Sequence, residues 1–341
     1  MKNKISTKII KLTEENFNEA LKIASGIINT GGIAVIPTET VYGIAASIYN
    51  SYAIQKIFEA KNRPADNPLI VHISDSKQLN DLTDEINEAA KKLMQHFWPG
   101  PLTLIFKAKE GINKKITGGL STIAVRMPDN DFTLKLIEMT GPLAAPSANI
   151  SGKPSGTEIS DIFEELNGKV DLIVDEGIVR CGLESTVINT LINPPVILRK
   201  GTISKEMIEK VVEVVNFSSP GEGTISPGTK YKHYAPGIKT TYIKKITSPD
   251  HLNLLLSTIS IDKKIGVIHF GLDMEGYYNN IQIENLSGNP EHASKFFYRT
   301  LRKMEKSVDE IIILPLPDHH GLWVSIEDRI ERGSDKIIDV I

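Results

Sequence analysis

Apolar positions recur at helical spacing from Phe17 through Leu21 and Ala24 to Ile28. This predicts an amphipathic helix with Thr13 as N-cap, acid at Glu14 and Glu15, and Gly31-Gly32 as its end. A short apolar run over 33–36 reads as a strand. Pro37 and Thr38-Glu39-Thr40 break it and set hydroxyls at the strand end. Similar strands are predicted over 69–73, 102–107, 123–127, 143–145, 172–174, 186–189 and 196–198, with helical patterns over 52–60, 88–97, 132–139 and 160–166 between several of them. Interleaving of this kind implies an α/β or α+β layer. Some strands are separated only by turns, so mixed strand directions are expected.

After a last helix near 205–215, the segment 217–237 holds three prolines and four glycines without periodicity. Such a long connection reads as a linker or a functional lid. Beyond it, strands are expected over 240–246, 264–270 and 311–314, and a helix over 290–306 with Asn289 as N-cap and Pro290 at its first position. The expected organisation is therefore an α/β domain over 1–216, a linker or lid over 217–238, and a smaller α/β domain over 239–341.

Length supports this division, since 341 residues at about 150 per domain suggest two domains. Hydrophobic residues at 40% and charged residues at 24% exclude disorder as the general state. A formal net charge of -3 argues against a whole-molecule field for nucleic acid, while leaving room for a local basic groove. The one cysteine, Cys181, excludes an intrachain disulfide and a multi-cysteine zinc site, and it fits a cytoplasmic setting. No signal peptide or membrane span is expected: the N-terminal residues lack an apolar stretch, and the runs around 266–272 and 310–316 are far short of the roughly 20 residues that cross a bilayer.

Neither a P-loop nor a dinucleotide glycine motif is present. Polar residues, prolines and glycines instead gather at strand ends, where binding groups usually sit. Lys61 and Arg63, stiffened by Pro64, either face a phosphate or carboxylate ligand or complement a helix C-terminus in solvent. Arg126 near a strand end needs an anion, which is either Asp129 or a substrate carboxylate. Ser147, Asn149, Ser151 and Ser155 lie in a loop that ordinary turn chemistry also explains. His72 on its own reads as a core histidine, and Cys181 has no adjacent base that would make it a nucleophile.

Taken together, Pro37-Thr38-Glu39-Thr40-Val41-Tyr42-Gly43, Lys61-Asn62-Arg63-Pro64, Asn67 to His72, Trp98-Pro99-Gly100-Pro101-Leu102-Thr103, Ala124-Val125-Arg126-Met127-Pro128 and Ala145-Pro146-Ser147-Ala148-Asn149 closely resemble the YrdC/Sua5 family. The resemblance continues through Glu184-Ser185-Thr186-Val187, Leu198-Arg199, the run from Ser226 to Pro236 and the tail from Gly321 to Arg332. It thus covers nearly the whole chain and points to the longer, two-domain Sua5 type.

The resemblance implies a twisted mixed sheet with helices around a positively lined concave cavity, followed by a smaller Rossmann-like domain. It also implies synthesis of threonylcarbamoyl-AMP and pyrophosphate from L-threonine, bicarbonate or CO2, and ATP, a nucleotidyltransferase reaction. The product would go to a separate tRNA threonylcarbamoyltransferase for threonylcarbamoyladenosine, with no direct grip on tRNA required and no membrane involved. By the same resemblance Lys61 and Arg63 stabilise charge at the triphosphate. L-threonine is expected at Thr38, Thr40, His72, Arg126 and Ser185, without a choice between the two threonines. ATP is expected at Lys61, Arg63, Asn67, Thr122, Ala145, Ser147, Asn149, Ser155, Arg199 and Tyr234. Magnesium would arrive with ATP, and no protein ligands are assigned to it.

Gly156 and Thr229 depart from the family, which often has proline and methionine there. Tyr234 within 217–237 suggests that this segment closes over the cavity and keeps water from the labile adenylate. Two rival readings are an RNA-binding module using the basic cavity and a carbamoyl-phosphate-dependent carbamoyltransferase. The first conflicts with the net charge, and the second lacks the zinc-finger-like and acylphosphatase-like segments of such enzymes.

Overall fold

The computed structural model describes residues 6–213, 216–217, 234–248, 263–272 and 280–340. They fall into two compact units, Met1–Ser151 with Ser155–Tyr231 and Gly152–Pro154 with Lys232–Ile341. The first unit contains strands β1 (Lys8–Lys11), β2 (Ala34–Ile36), β3 (Gly43–Ser47), β4 (Ile70–His72), β5 (Leu102–Lys107), β6 (Thr122–Arg126), β7 (Leu143–Ala144), β8 (Leu172–Asp175), β9 (Thr186–Asn189), β10 (Val196–Arg199) and β11 (Asn216–Phe217). Its helices are α1 (Phe17–Asn29), α2 (Ser51–Lys61), α3 (Glu88–Phe97), α4 (Lys114–Thr117), α5 (Asp131–Thr140), α6 (Ile159–Leu166) and α7 (Lys205–Glu209).

The eleven strands form one sheet in the order β1-β8-β2-β3-β7-β4-β6-β5-β9-β10-β11. Directions are mixed, as the short connections require: β4 runs parallel to β6 and antiparallel to β7, and β5 runs antiparallel to β6 but parallel to β9. Two apolar clusters cover the sheet. One joins Val71, Leu104, Val125, Ile188 and Ile197 to α2 and α3 residues such as Ile57 and Leu93. The other joins Leu21, Ala24 and Ile28 of α1 to Phe132 and Leu136 of α5.

Helix α1 begins later than Thr13 because that residue makes a turn with Asn16. The Thr13 N–H donates to Asn16 Oδ1 at 2.9 Å, the Asn16 N–H donates to Thr13 Oγ1 at 3.3 Å, and the helix starts at Phe17. Its end falls as expected, with Gly31 at φ +82°. Helix α7 is shorter than the expected 205–215. Of the linker segment, residues 218–233 lie outside the described residues.

The second unit contains β12 (Lys239–Ile243), β13 (Ile265–His269), β14 (Ile281–Asn285), β15 (Glu310–Ile313) and β16 (Lys336–Ile338), with helices α8 (Pro290–Glu305) and α9 (Trp323–Gly333). The strands form a sheet in the order β14-β13-β15-β12-β16 with every described pair parallel, which fits the expected Rossmann-like layer. Asn289 caps α8 by accepting from the His292 N–H at 2.8 Å, with Pro290 at the first helical position. Tyr234, expected at the nucleotide, is buried and adopts φ +67°. Its ring stacks on Tyr298 at 5.6 Å and lies 4.7 Å from the Arg329 guanidinium carbon, a stacked and cation–π arrangement.

Candidate functional site

Strand register builds a transverse row across the first sheet. His72 on β4 pairs with Arg126 on β6, Arg126 with Thr103 on β5, Thr103 with Val187 on β9, and Val187 with Arg199 on β10. Residues in register share a face, and strands lie about 4.8 Å apart, so the row spans about 20 Å. Two positions along each strand, Ile70, Ala124 and Ile105 occupy the same face. With Val187 and Leu198 they form a small apolar cluster separate from the main core. A β-bulge between Ile197 and Arg199 lets Leu198 join that cluster while Arg199 stands in the row. One face of the sheet therefore presents an apolar floor beside a line of buried polar groups.

At one end of the row lies Arg126, 3% exposed, with its Nη2 2.5 Å from Glu39 Oε2. Its Nη1 donates to Thr40 Oγ1 at 2.9 Å and its Nε to the Gly100 carbonyl at 3.2 Å. The structural partner of Arg126 is thus Glu39 and not Asp129, which pairs with Arg180 on the surface. Glu39 was no candidate in the sequence because only the fold brings the 37–43 loop to the end of β6.

That loop is strapped from several sides. Thr133 Oγ1 donates to the Pro37 carbonyl at 2.6 Å, and the Cys181 and Gly182 N–H groups donate to the carbonyls of Glu39 and Thr40 at 2.7 and 3.0 Å. The Tyr42 hydroxyl donates to the Gly177 carbonyl at 2.6 Å and accepts from the Glu176 N–H at 3.0 Å; burial raises its pKa well above the ordinary phenol value. Thr38 Oγ1 donates to the Val41 carbonyl at 2.6 Å and lies 2.9 Å from Thr40 Oγ1. With the Thr38 proton committed, the Thr40 hydroxyl donates to Thr38 and accepts from Arg126. A polarised chain therefore runs from the guanidinium through both hydroxyls.

His72, 3% exposed beside Arg126, is held neutral. Burial, with the Arg126 charge, lowers its pKa to about 3, and its Nδ1 has no hydrogen-bond partner among the described residues. Below the unfolded pKa of about 6.5 the unfolded chain gains a proton that the native imidazole refuses, so stability falls as pH drops toward about 3, by about 1.4 kcal/mol per pH unit from this group. We expect the His72 ring resonances, assigned by their loss in His72→Gln, not to titrate between about pH 5 and 8. A midpoint near 6.5 would contradict this burial.

The other end of the row centres on Ser185, whose Oγ lies 2.7 Å from Thr103 Oγ1. Arg199, 8% exposed, grips it through Nη2 to the Ser185 Oγ at 3.0 Å, and through Nε and Nη2 to the Ser185 carbonyl at 3.1 and 2.9 Å. Ser155 Oγ donates to buried Glu184 Oε1 at 2.6 Å. Glu184 and Thr103 belong to motifs in the sequence but were not site candidates. Gly201 permits a close backbone approach here, since a Cβ on it would lie 2.4 Å from the Ser185 carbonyl carbon and the Thr186 nitrogen. Gly201→Ala should cost about 1–3 kcal/mol through overpacking against backbone, measurable by urea denaturation; unchanged stability would refute the close approach. Gly156 is similarly constrained, because a Cβ there would stand 2.8 Å from the Ala148 carbonyl oxygen and 2.4 Å from Ile162 Cγ1.

Lys61, Arg63, Asn67, Ala145, Ser147, Asn149 and Thr122 gather toward the opposite ends of β4 and β6. The Lys61 side chain is 1% exposed and its ammonium donates to the carbonyls of Ser147 and, at 2.6 Å, Asn149. It therefore does not sit in a solvated helix end. Asn62 makes this possible by closing α2 in the left-handed region at φ 50°. Ser147 Oγ donates to Asn149 Oδ1 at 2.6 Å, while the Ala145 N–H reaches the Ile70 carbonyl at 3.0 Å and ties the loop to β4. Arg63 is half-buried, and its Nη2 donates to Asn67 Oδ1 and the Pro68 carbonyl, both at 2.7 Å. Thr122 starts β6, four residues before Arg126 and so about 13 Å from it along the strand. Among the described residues no group of three or more His, Cys, Asp or Glu converges to hold a metal, and Glu39 and Glu184 are engaged by Arg126 and Ser155.

One face of the sheet thus combines two buried arginines, several hydroxyls and an apolar floor. The chain belongs to the Sua5/YciO/YrdC family. The family model described as "Telomere recombination" matches residues 26–201, and a second, described as "Threonylcarbamoyl-AMP synthase, C-terminal domain", matches residues 203–334. A threonylcarbamoyl-AMP synthase of Pyrococcus abyssi is 39% identical, covering 96% of this chain and 98% of its own. One from Bacillus subtilis is 40% identical over 91% and 92% of the two chains. The crystal structure of P. abyssi Sua5 complexed with L-threonine aligns over 99% of both chains at 38% identity, with a TM-score of 0.88.

Proposed function

We infer that this protein is a nucleotidyltransferase that converts L-threonine, bicarbonate or CO2, and ATP into threonylcarbamoyl-AMP and pyrophosphate for threonylcarbamoyladenosine in tRNA. The observation that carries this reading is that an Arg126-centred pocket stands at one end of β4 and β6 while Asn67, Thr122 and the loop that holds the buried Lys61 ammonium stand toward the other. One end suits a small amino acid and the other suits phosphates. The relatives named as threonylcarbamoyl-AMP synthases along nearly the full chain support it.

In this reading Arg126 holds the threonine carboxylate, with Thr38, Thr40, His72 and Ser185 around the rest of the amino acid. Thr40 is the better placed of the two threonines, because its hydroxyl touches Arg126 directly while Thr38 meets the guanidinium only through it. Lys61, Arg63, Ser147 and Asn149 face the triphosphate, and Asn67, Thr122, Ala145, Ser155 and Arg199 hold the nucleotide. The carbamate oxygen attacks the α-phosphorus in line and pyrophosphate leaves. The protein's part is to position the two anions and to neutralise charge as it shifts to the leaving group. Magnesium enters with the triphosphate as part of the substrate.

The product passes to a separate tRNA transferase, and the enzyme acts in the cytoplasm without gripping tRNA. Among the described residues no helix is long and apolar enough to cross a membrane. The test is pyrophosphate release from ATP with and without L-threonine and bicarbonate. Release that requires both supports the reading, and release indifferent to threonine overturns it.

A further inference from the structure

We propose that Glu39 is a further threonine-contacting residue, its carboxylate receiving the α-ammonium of the amino acid while Arg126 receives the carboxylate. The proposal rests on the reading of this pocket as the threonine site. Glu39 and Arg126 have side-chain exposures of 1% and 4%, and together they carry no net charge. A lone buried arginine suits a simple monoanion. A buried Arg–Glu pair with unused capacity on both sides suits a zwitterion, whose opposite charges sit on one carbon.

That capacity is present on both members. Two of the five guanidinium N–H donors are hydrogen-bonded, to Thr40 and Gly100, and Nη2 lies 2.5 Å from Glu39 Oε2 with no hydrogen-bond partner among the described residues, which leaves donors on both Nη atoms for a carboxylate. Glu39 Oε1 is buried and has no hydrogen-bond partner among the described residues. A buried carboxylate oxygen without a donor is costly, and a ligand that brings an N–H removes that cost. The Glu39 main chain is fixed by the Cys181 N–H on its carbonyl at 2.7 Å, so the acceptor is positioned before the ligand arrives. Neutral His72 beside Arg126 brings no competing cation. Glu39 would then make the site select amino acids over their deaminated counterparts.

The experiment is titration calorimetry of the full chain with L-threonine and with 2,3-dihydroxybutanoate, which replaces the ammonium by a hydroxyl. The wild type should prefer L-threonine by about 100-fold or more, because the analogue's hydroxyl brings one neutral donor and no charge to a buried carboxylate where the ammonium brings a full positive charge. Glu39→Gln should bring this ratio close to one by weakening L-threonine alone. A ratio unchanged in Glu39→Gln, or equal weakening of both ligands, would overturn the assignment and leave Glu39 a support for Arg126. If Glu39→Gln does not melt cooperatively, Glu39→Asp gives the same readout: withdrawal of the charge by one methylene should lower the ratio about 10-fold, and no change would overturn the proposal. Absence of L-threonine binding to the wild type would instead overturn the threonine site itself.

Discussion

Replacing Arg126 by glutamine should abolish threonine-dependent pyrophosphate release and destabilise the first unit by about 3–5 kcal/mol, the range for breaking a buried ion pair by removing one partner. Both effects have one cause. Arg126 is the charge partner of buried Glu39 and also donates to Thr40 and Gly100, so the variant strands a carboxylate and releases the two loops that carry Thr40 and Gly100, where we propose that the amino acid binds. The stability loss and the activity loss should separate in a double-mutant cycle. Adding Glu39→Gln removes the stranded charge and should recover much of the stability while activity stays absent. Urea denaturation and a coupled pyrophosphate assay give the two readings. An Arg126→Gln variant with wild-type stability would refute the buried pair.

Replacing Lys61 by methionine should lower kcat by about 100- to 1,000-fold, the usual cost of removing one preorganised donor at a reacting centre. Methionine keeps the length and apolar stem but takes the ammonium from the carbonyls of Ser147 and Asn149. Both carbonyls lose their charged donor, and the Ser147 carbonyl keeps the Asn149 N–H at 3.1 Å, so the loop loses order and ATP affinity falls as well. Arg63→Ala should act mainly on ATP affinity, since its guanidinium braces Asn67 and Pro68 from a half-buried position. Steady-state kinetics against ATP separates the two variants. Equal kcat in Lys61→Met and wild type would remove Lys61 from the reacting centre.

Much of the fold was legible because periodicity survives packing. Helix α3 and strands β5 and β9 lie where their patterns place them, since each buries one face or a full apolar run. The failures have physical reasons. Strand β3 is buried at every position, so Gly43 to Ser47 shows no alternation, and it follows the polar 37–42 loop directly. Strand β1 is an edge strand with lysines at both ends, which hides its pairing with β8. Helix α9 shows in the sequence only as a motif in the tail, although it buries Trp323, Ile326 and Ile330 at helical spacing.

The site was legible as a set of motifs but not as an arrangement. The row from His72 to Arg199 exists only once register is fixed. Arg126 announced that it needed an anion, yet nearby Asp129 drew attention from Glu39, which comes from a distant loop. Lys61 as a cation at a helix end resembles any exposed lysine. The closure of α2 at Asn62 and the buried carbonyls of the 146–150 loop make it different.

The most direct measurement of the central claim is mass spectrometry of the nucleotide product formed by the full-length chain from ATP, L-threonine and isotopically labelled bicarbonate. The structure predicts threonylcarbamoyl-AMP carrying the bicarbonate carbon, formed with pyrophosphate in equal amount and lost in Arg126→Gln. Release of pyrophosphate with AMP as the only product, or a product without the labelled carbon, would contradict it.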